Sequence, residues 1–184
     1  MSTKVLMTVA DLEQTPRPDE GGGYELDKGE LVHVSPNSLE QSDLIFRIQS
    51  LLRRFVNERS LGRVTGDAWF HLLPKVVRAP DVAFIPADRL QGLDPKHALK
   101  ALPSLVIEIL GPSQPVHDLT RRIQQYRDAG VEAVWVVDPH RREVEVYGAG
   151  PAKTLTLDDT LTAPGILPGF SLPVSQLFES DPLG

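Results

Sequence analysis

Two acidic residues occupy positions where apolar side chains are the norm. Asp81 follows a proline in the string RAPDVAFI, and Glu108 lies in the middle of SLVIEIL. A segment that is apolar on both faces predicts a strand covered on both sides of a sheet. An ionised carboxylate there is costly unless a cation, a hydrogen-bond donor or a metal compensates it. Each acid also has a plainer interpretation, because Glu108 could pair with a nearby arginine and Asp81 could cap a turn beside its proline.

Two such carboxylates on neighbouring strands have the chemistry to share one divalent cation. Mg²⁺ prefers hard oxygen ligands, usually one or two carboxylates with waters and substrate phosphates. A divalent metal lowers the pKa of water and neutralises charge on a phosphodiester. Glu30 shares a strand face with Val32 and Val34. It is interpreted either as a third carboxylate near the metal or as a strand-end acid paired with an arginine or lysine.

The five histidines offer less support for metal chemistry. They form no HxH or HExxH pattern, which argues against a zinc hydrolase. They are His33, His71, His97, His117 and His140.

Periodicity predicts the elements that hold these residues. A hairpin with a turn at Gly29 precedes a long amphipathic helix, which begins with a capping box at Ser38 and Gln41 and ends near Gly62. Strands are predicted at 63–65, 69–73, 81–85, 104–110, 133–137 and 143–147, and a second helix at 118–129. This order predicts an α/β fold with a mixed β-sheet flanked by helices. We expect one domain over residues 1–184, with its core at about 8–147 and a C-terminal appendage at 150–184.

Composition narrows the class of protein. The chain has 184 residues, no cysteine and a net charge of −6. These values exclude disulfides and thiol catalysis and argue against nucleic-acid binding through net charge alone. Four arginines of the long helix form either a solvated face or a contact to a phosphate backbone: Arg47, Arg53, Arg54 and Arg59. No apolar run is long enough to span a membrane and the N-terminus lacks the apolar core of a signal peptide, so a cytoplasmic location is expected.

Several strings occur in an order that is typical of one family. YELDKGELVHVSP comes first, followed by RAPDVAFIP, SLVIEIL, the second helix, VWVVDP and EVEVY. In this order they resemble the Uma-type putative restriction endonuclease family, a branch of the PD-(D/E)XK nuclease superfamily, from Thr8 to Tyr147. The resemblance implies a restriction-endonuclease-like fold and Mg²⁺-dependent hydrolysis of DNA, with Mn²⁺ as a substitute. A homodimer with paired sites would suit double-strand cleavage.

The resemblance also implies roles for particular residues. It makes Asp81, Glu108 and the backbone carbonyl of Ile109 the metal ligands. It places the acid of the GEL element at Glu30, as a further catalytic residue facing the same cavity.

This chain departs from the family pattern at the lysine. The superfamily position two residues after Glu108 is Leu110, and the position on the following helix, midway between Asp118 and Tyr126, is Arg122. Arginine can clamp a phosphate and stabilise negative charge, but it cannot act as a base. The alternative for Arg122 is a surface ion pair with Asp118. Tyr126 is interpreted either as a substrate contact at the edge of the site or as core packing.

A second departure is Gln41, where the family often has histidine at the start of the long helix. Glutamine can hydrogen-bond a phosphate or a water, so Gln41 is a predicted substrate-binding residue, but it cannot titrate. The two departures keep a second hypothesis open. In that hypothesis the protein is a catalytically impaired nuclease-fold chain that acts as a binding or assembly module.

Overall fold

The computed structural model describes residues 6–111 and 115–179. The described residues form three α-helices: α1 (Val9–Gln14), α2 (Leu39–Glu58) and α3 (Val116–Ala129). Their strands are β1 (Gly23–Asp27), β2 (Glu30–Val34), β3 (Gly62–Thr65), β4 (Phe70–Leu73), β5 (Val76–Arg78), β6 (Val82–Pro86), β7 (Leu105–Ile109), β8 (Ala133–Asp138), β9 (Glu143–Tyr147), β10 (Lys153–Leu155), β11 (Thr160–Ala163) and β12 (Leu167–Pro173). Short 3-10 helices lie at Ala87–Arg89 and Val174–Leu177.

The main sheet is mixed, as the sequence predicts. Its strand order is β10-β9-β8-β7-β6-β3. Strands β7 and β8 run parallel and are joined through α3, whereas the other neighbours pair antiparallel. Strand β7, which carries Glu108, lies in the interior of the sheet, and all five of its residues are buried. The predicted α/β fold class is therefore confirmed.

One face of the main sheet packs on α2. Leu44, Ile48, Leu52 and Val56 recur at the helical period and form a buried apolar stripe. The same core includes side chains of the C-terminal tail, namely Leu161, Ala163, Leu167, Phe170, Leu172, Val174 and Leu177. The tail therefore packs into the main core rather than projecting from it.

The other face of the main sheet packs on α3 and on a second sheet of order β2-β1-β5-β4. Ile123 and Tyr126 of α3 cluster with Val106 of β7. Phe70 of β4 clusters with Ala83 and Ile85 of β6. Alternation along β7 places Glu108 on the same face as Val106. This face therefore carries the predicted site.

Gly130 and Gly62 are the residues at which the sequence predicts the ends of α3 and α2. Gly130 ends α3 in the left-handed conformation, with φ of 94°, as predicted. The prediction that α2 ends near Gly62 is wrong, because α2 ends at Glu58 and Gly62 opens β3. A Cβ atom at Gly62 would lie 2.1 Å from the carbonyl oxygen of Ile85. Gly62 is therefore explained by the close approach of two strands rather than by the end of the helix.

No helix of the described segments combines the length with the apolar character that crossing a bilayer requires.

Candidate active site

Strand register brings Asp81 to Glu108. Strands β6 and β7 are antiparallel and pair Val82 with Ile107, so the next pair along the register is Asp81 and Glu108. Residues directly opposite in such a pair project from the same face. The backbone N–H of Ile109 also donates to Oδ2 of Asp81 at 2.7 Å. The two acids that the sequence singles out therefore lie side by side, in a cleft of about 1320 Å³ lined by both.

The environment of Asp81 disfavours its charged form. Burial raises the pKa of Asp81 to about 7, and the nearby charge of Glu108 acts in the same direction. The hydrogen bond from Ile109 and the charge of Arg122 oppose this increase without cancelling it. A cation bound beside Asp81 would restore its ionised form, because an opposite charge lowers the pKa of a carboxyl.

Glu108 is compensated by two side chains of α3. Nη2 of Arg122 donates to both carboxylate oxygens, at 2.9 and 3.2 Å, and the hydroxyl of Tyr126 donates to Oε1 at 2.5 Å. Burial raises the pKa of Tyr126 well above its ordinary value, and the charge of Glu108 adds to the increase. Tyr126 therefore remains a proton donor that orients Glu108.

A third buried acid, Glu25, belongs to the same cluster. It is 1% exposed and accepts hydrogen bonds from Nη1 of Arg122 at 2.5 Å, from Nη1 of Arg78 at 2.9 Å and from the backbone of Ala79 at 2.7 Å. Ala79 lies two residues before Asp81. Glu25 thus ties β1 both to α3 and to the segment that carries Asp81.

Sequence reasoning missed Glu25, although a signal was present. Glu25 and Asp27 are two residues apart, which places both carboxylates on one face of a strand. The sequence pattern indicated Glu30 of the same hairpin instead. In the structure Glu30 is exposed at the start of β2, opposite Asp27 in the strand register, and it is not among the residues that line the cleft.

Arg122 is a permanent buried cation. Burial disfavours its charge, but the carboxylates of Glu108 and Glu25 raise its pKa well above the ordinary value. Within the described residues its Nε atom is buried without a hydrogen-bond partner. The surface ion pair with Asp118, the alternative considered for Arg122, is formed by Arg121 instead, at 2.6 Å.

A second buried cation extends the network toward the hairpin. Arg78 donates from Nε and Nη2 to Oε1 of Gln125, at 2.8 and 2.6 Å, and its Nη2 lies 3.2 Å from Asp27. Gln125 in turn donates to Asp27 at 2.7 Å. These contacts fasten α3 to the second sheet, so the position of Arg122 depends on both.

Gln41 lies on the other side of Ile109. Its side-chain amide nitrogen donates to the carbonyl oxygen of Ile109 at 3.3 Å, and its oxygen accepts from the backbone of Ser38 at 3.0 Å. The capping box that the sequence predicts at the start of α2 therefore also positions Gln41. Gln41 lines the cleft, whereas Tyr126 is fully buried beneath it.

Around the cleft, exposed basic side chains outnumber exposed acidic ones, of which the lining includes Asp67, whereas the chain as a whole has a net charge of −6. Four of the lining side chains are basic and exposed: Arg17, Arg63, Lys96 and Arg121. Positive groups around a concave site attract anions and raise their local concentration.

Comparison with solved structures shows a similar fold. The chain is similar in structure to a putative nuclease belonging to DUF820 from Anabaena variabilis, known from a crystal structure. The TM-score is 0.78 at 19% sequence identity, and the match covers 94% of this chain and 97% of the other. At that identity the similarity shows a shared fold. No curated protein matches the chain significantly.

The sequence profile of one family spans most of the chain. The Uma2 profile, described as "Putative restriction endonuclease", matches residues 9–175. The match includes both strands of the site, α3 and most of the C-terminal tail. The chain therefore belongs to the Uma2 family of putative restriction endonucleases.

Proposed function

We propose that this protein is a divalent-metal-dependent endonuclease that hydrolyses phosphodiester bonds of DNA. The observation that carries the proposal is that strand register brings Asp81 beside Glu108, and that both acids line one cleft. The proposed cation ligands are these two carboxylates together with the carbonyl of Ile109, the residue whose N–H donates to Asp81. Family membership supports the same activity.

The donor set fits a hard divalent cation. Within residues 6–111 and 115–179 no group of three or more His, Cys, Asp or Glu side chains could hold a metal. The proposed site therefore relies on two carboxylates and one backbone carbonyl. Two carboxylates and a carbonyl would leave further positions for waters and phosphate oxygens, which is the coordination that Mg²⁺ favours, and Mn²⁺ accepts the same donors. The raised pKa of Asp81 is a second indication, because it marks a buried carboxyl whose charge Arg122 compensates only in part. When bound, such a cation would lower the pKa of water and neutralise phosphate charge.

The chain's own residues prepare this site. Tyr126 and Arg122 hold Glu108 from below, and Gln41 holds the carbonyl of Ile109. Arg122 stays protonated throughout, so its role is to stabilise negative charge rather than to accept a proton. In the proposed hydrolysis, water adds across a P–O bond, which leaves a phosphate on one product and a hydroxyl on the other.

The direct test is cleavage of supercoiled plasmid and single-stranded DNA in Mg²⁺ and in Mn²⁺. Wild-type protein is compared with Glu108→Gln and with the matched control Glu132→Gln, an exposed acid that pairs with Arg89. We expect metal-dependent cutting by wild type and the control but not by Glu108→Gln. Equal cutting by all three proteins would show that the activity does not arise at this site, and an RNA substrate cut in place of DNA would correct the substrate class.

One observation favours a second candidate function, a non-catalytic nucleic-acid-binding module. Arg122 already occupies both oxygens of Glu108, and thus supplies a positive charge where a metal would act. In that case the cleft would bind DNA without cutting it. Binding that is unaffected by divalent metal, with no cleavage of any substrate, would establish this alternative.

A further inference from the structure

The exposed face of α2 carries a regular stripe of side chains. Its positions are separated alternately by four and three residues, the spacing that lines one seam of a coiled coil. They are Leu39, Asp43, Phe46, Ser50, Arg53 and Asn57. All six are exposed, because the buried stripe of α2 lies on the opposite side of the helix.

Two side chains of this stripe are large and apolar, Leu39 at its first position and Phe46 near its centre. Phe46 is 73% exposed and Leu39 is 79% exposed, which is unusual for large apolar side chains. Two serines lie one turn to either side of Phe46. Their hydroxyls donate to the helix's own carbonyls, Ser42 to Ser38 at 2.9 Å and Ser50 to Phe46 at 2.8 Å. Covering these serines would therefore leave no hydroxyl without a partner.

The two charges of the stripe differ in sign between its halves. Asp43 lies in the first half of α2 and Arg53 in the second half, and each has a neighbour of the same sign beside the stripe, Glu40 and Arg54. Among the described residues none of these four forms an ion pair or a side-chain hydrogen bond. By contrast, Arg47 donates to the carbonyl of Leu177 at 2.9 Å, and Arg59 pairs with Glu58 at 3.2 Å. Asp43 and Arg53 are therefore available to a partner helix.

We propose that the face is a homodimer interface in which α2 packs antiparallel against α2 of a second copy. An acidic half and a basic half on one helix complement each other when the helix meets itself in the opposite direction. With the two-fold axis near Ile48, Asp43 faces Arg53 of the second copy, and symmetry repeats the pair. The same register sets Phe46 against the small Ser50 of the second copy.

This arrangement places the two clefts at opposite ends of the helix pair. Ser38 and Gln41, at the first turn of α2, line the cleft of each copy. An antiparallel pair of 20-residue helices separates these turns by roughly 30 Å, from a rise of about 1.5 Å per residue. Ser42 also lines the cleft, so each end of the interface borders one cleft.

Charge reversal tests the pairing without reference to activity. The mass in solution is measured by light scattering and sedimentation over a range of concentrations, for wild type, Asp43→Arg, Arg53→Asp and the double variant. We expect wild type to dimerise and each single variant to weaken the dimer at least roughly tenfold, because two attractive pairs become repulsive. The double variant restores both pairs, and an equimolar mixture of the two single variants forms a heterodimer.

Controls keep the result specific to this surface. Arg141→Asp, an exposed arginine beside the β8–β9 turn, should dimerise like wild type. Thermal melts followed by circular dichroism establish that each variant is folded. A monomeric wild type, or a dimer that single reversals leave intact, would overturn the proposal. Failure of both the double variant and the mixture to dimerise would also overturn it.

Discussion

Glu25 accepts a hydrogen bond from Arg122 at 2.5 Å, although the two residues lie 97 positions apart in the sequence. The contact joins β1 of the second sheet to α3 on the main sheet. Because Arg122 also holds Glu108, the hairpin acts on the predicted metal site through one guanidinium group. Glu25 is therefore a positioning residue, since it acts on the site through Arg122.

Replacing Glu25 with glutamine should destabilise the protein strongly. The variant leaves Arg78 and Arg122 without their shared counterion, and breaking a buried ion pair from one side costs roughly 3–5 kcal/mol. Glu20→Gln, in the exposed loop before β1, should change the free energy of unfolding by less than about 0.5 kcal/mol. Urea denaturation of both variants measures the difference. A Glu25→Gln protein as stable as the control would contradict the role given to the ion network.

Arg122→Lys should lower both stability and cleavage. A lysine ammonium cannot reproduce the planar contacts that Arg122 makes with Glu25 and Glu108 on two sides. We expect the free energy of unfolding to fall by roughly 1–3 kcal/mol and DNA cleavage to become slower. Arg121→Lys, at a half-exposed position, should change both quantities little. A large gain of cleavage in Arg122→Lys would instead show that arginine impairs the wild-type site.

Two tyrosines that each donate to a glutamate provide a matched pair. Tyr126 donates to Glu108 inside the site, and Tyr147 donates to Glu145 on β9. Tyr126→Phe removes a donor from the predicted metal ligand, so we expect weaker Mn²⁺ binding and slower cleavage. Tyr147→Phe should leave both unchanged. Equal effects of the two substitutions would show that the Tyr126 hydroxyl serves stability alone.

The raised pKa of Asp81 predicts a dependence of stability on pH in the absence of metal. Its folded-state pKa is about 7 against 3.8 for the free group, so the folded state binds more protons between these values. The contribution of Asp81 to stability therefore falls as the pH rises from about 4 to about 7. Asp81→Asn removes this effect and should be more stable than wild type above pH 7, by roughly 1–3 kcal/mol after allowance for partial solvent screening.

Denaturation of wild type and Asp81→Asn at several pH values tests this prediction directly. The difference between their free energies of unfolding should vanish below about pH 4. Added Mn²⁺ should stabilise wild type but not Asp81→Asn, because only a state that binds the ligand gains free energy. A pH-independent difference would mean that Asp81 is not desolvated as described.

Arg63 tests the exposed basic side chains of the cleft. It is exposed on β3 and lines the cleft. In a Glu108→Gln background without metal, Arg63→Gln should weaken DNA binding. The slope of the logarithm of the binding constant against the logarithm of the salt concentration should also become shallower by about 1. Arg141→Gln, which does not line the cleft, should leave the slope unchanged. If both variants keep the wild-type slope, Arg63 does not contact phosphate.

The sequence predicted the parts of the fold that depend on strong local patterns. The apolar period of α2, the doubly apolar SLVIEIL segment and the stop at Gly130 all correspond to elements of the structure. The juxtaposition of Asp81 and Glu108 was predictable because Asp81 directly precedes one apolar strand and Glu108 interrupts the apolar strand beside it. Register then places them side by side.

Features set by tertiary packing were not predictable in the same way. Strand β5 has only three residues and was missed, because so short a segment carries no measurable period. Residues 150–184 were expected to form a C-terminal appendage of the domain, and nothing in the sequence indicated that Leu161 and Leu167 would be buried in the main core. Glu25 was overlooked because its partners, Arg78 and Arg122, come from distant elements that only the folded chain brings together.

Mn²⁺ binding to wild type and to Asp81→Asn is the measurement that tests the central claim most directly. Calorimetric titration at pH 8, where Asp81 is ionised, reports the site without requiring a substrate. The account predicts binding by wild type that is lost in Asp81→Asn and retained in Glu132→Gln, an exposed acid that pairs with Arg89 away from the cleft lining. Equal binding by wild type and Asp81→Asn would contradict the claim that Asp81, Glu108 and Ile109 form a cation site.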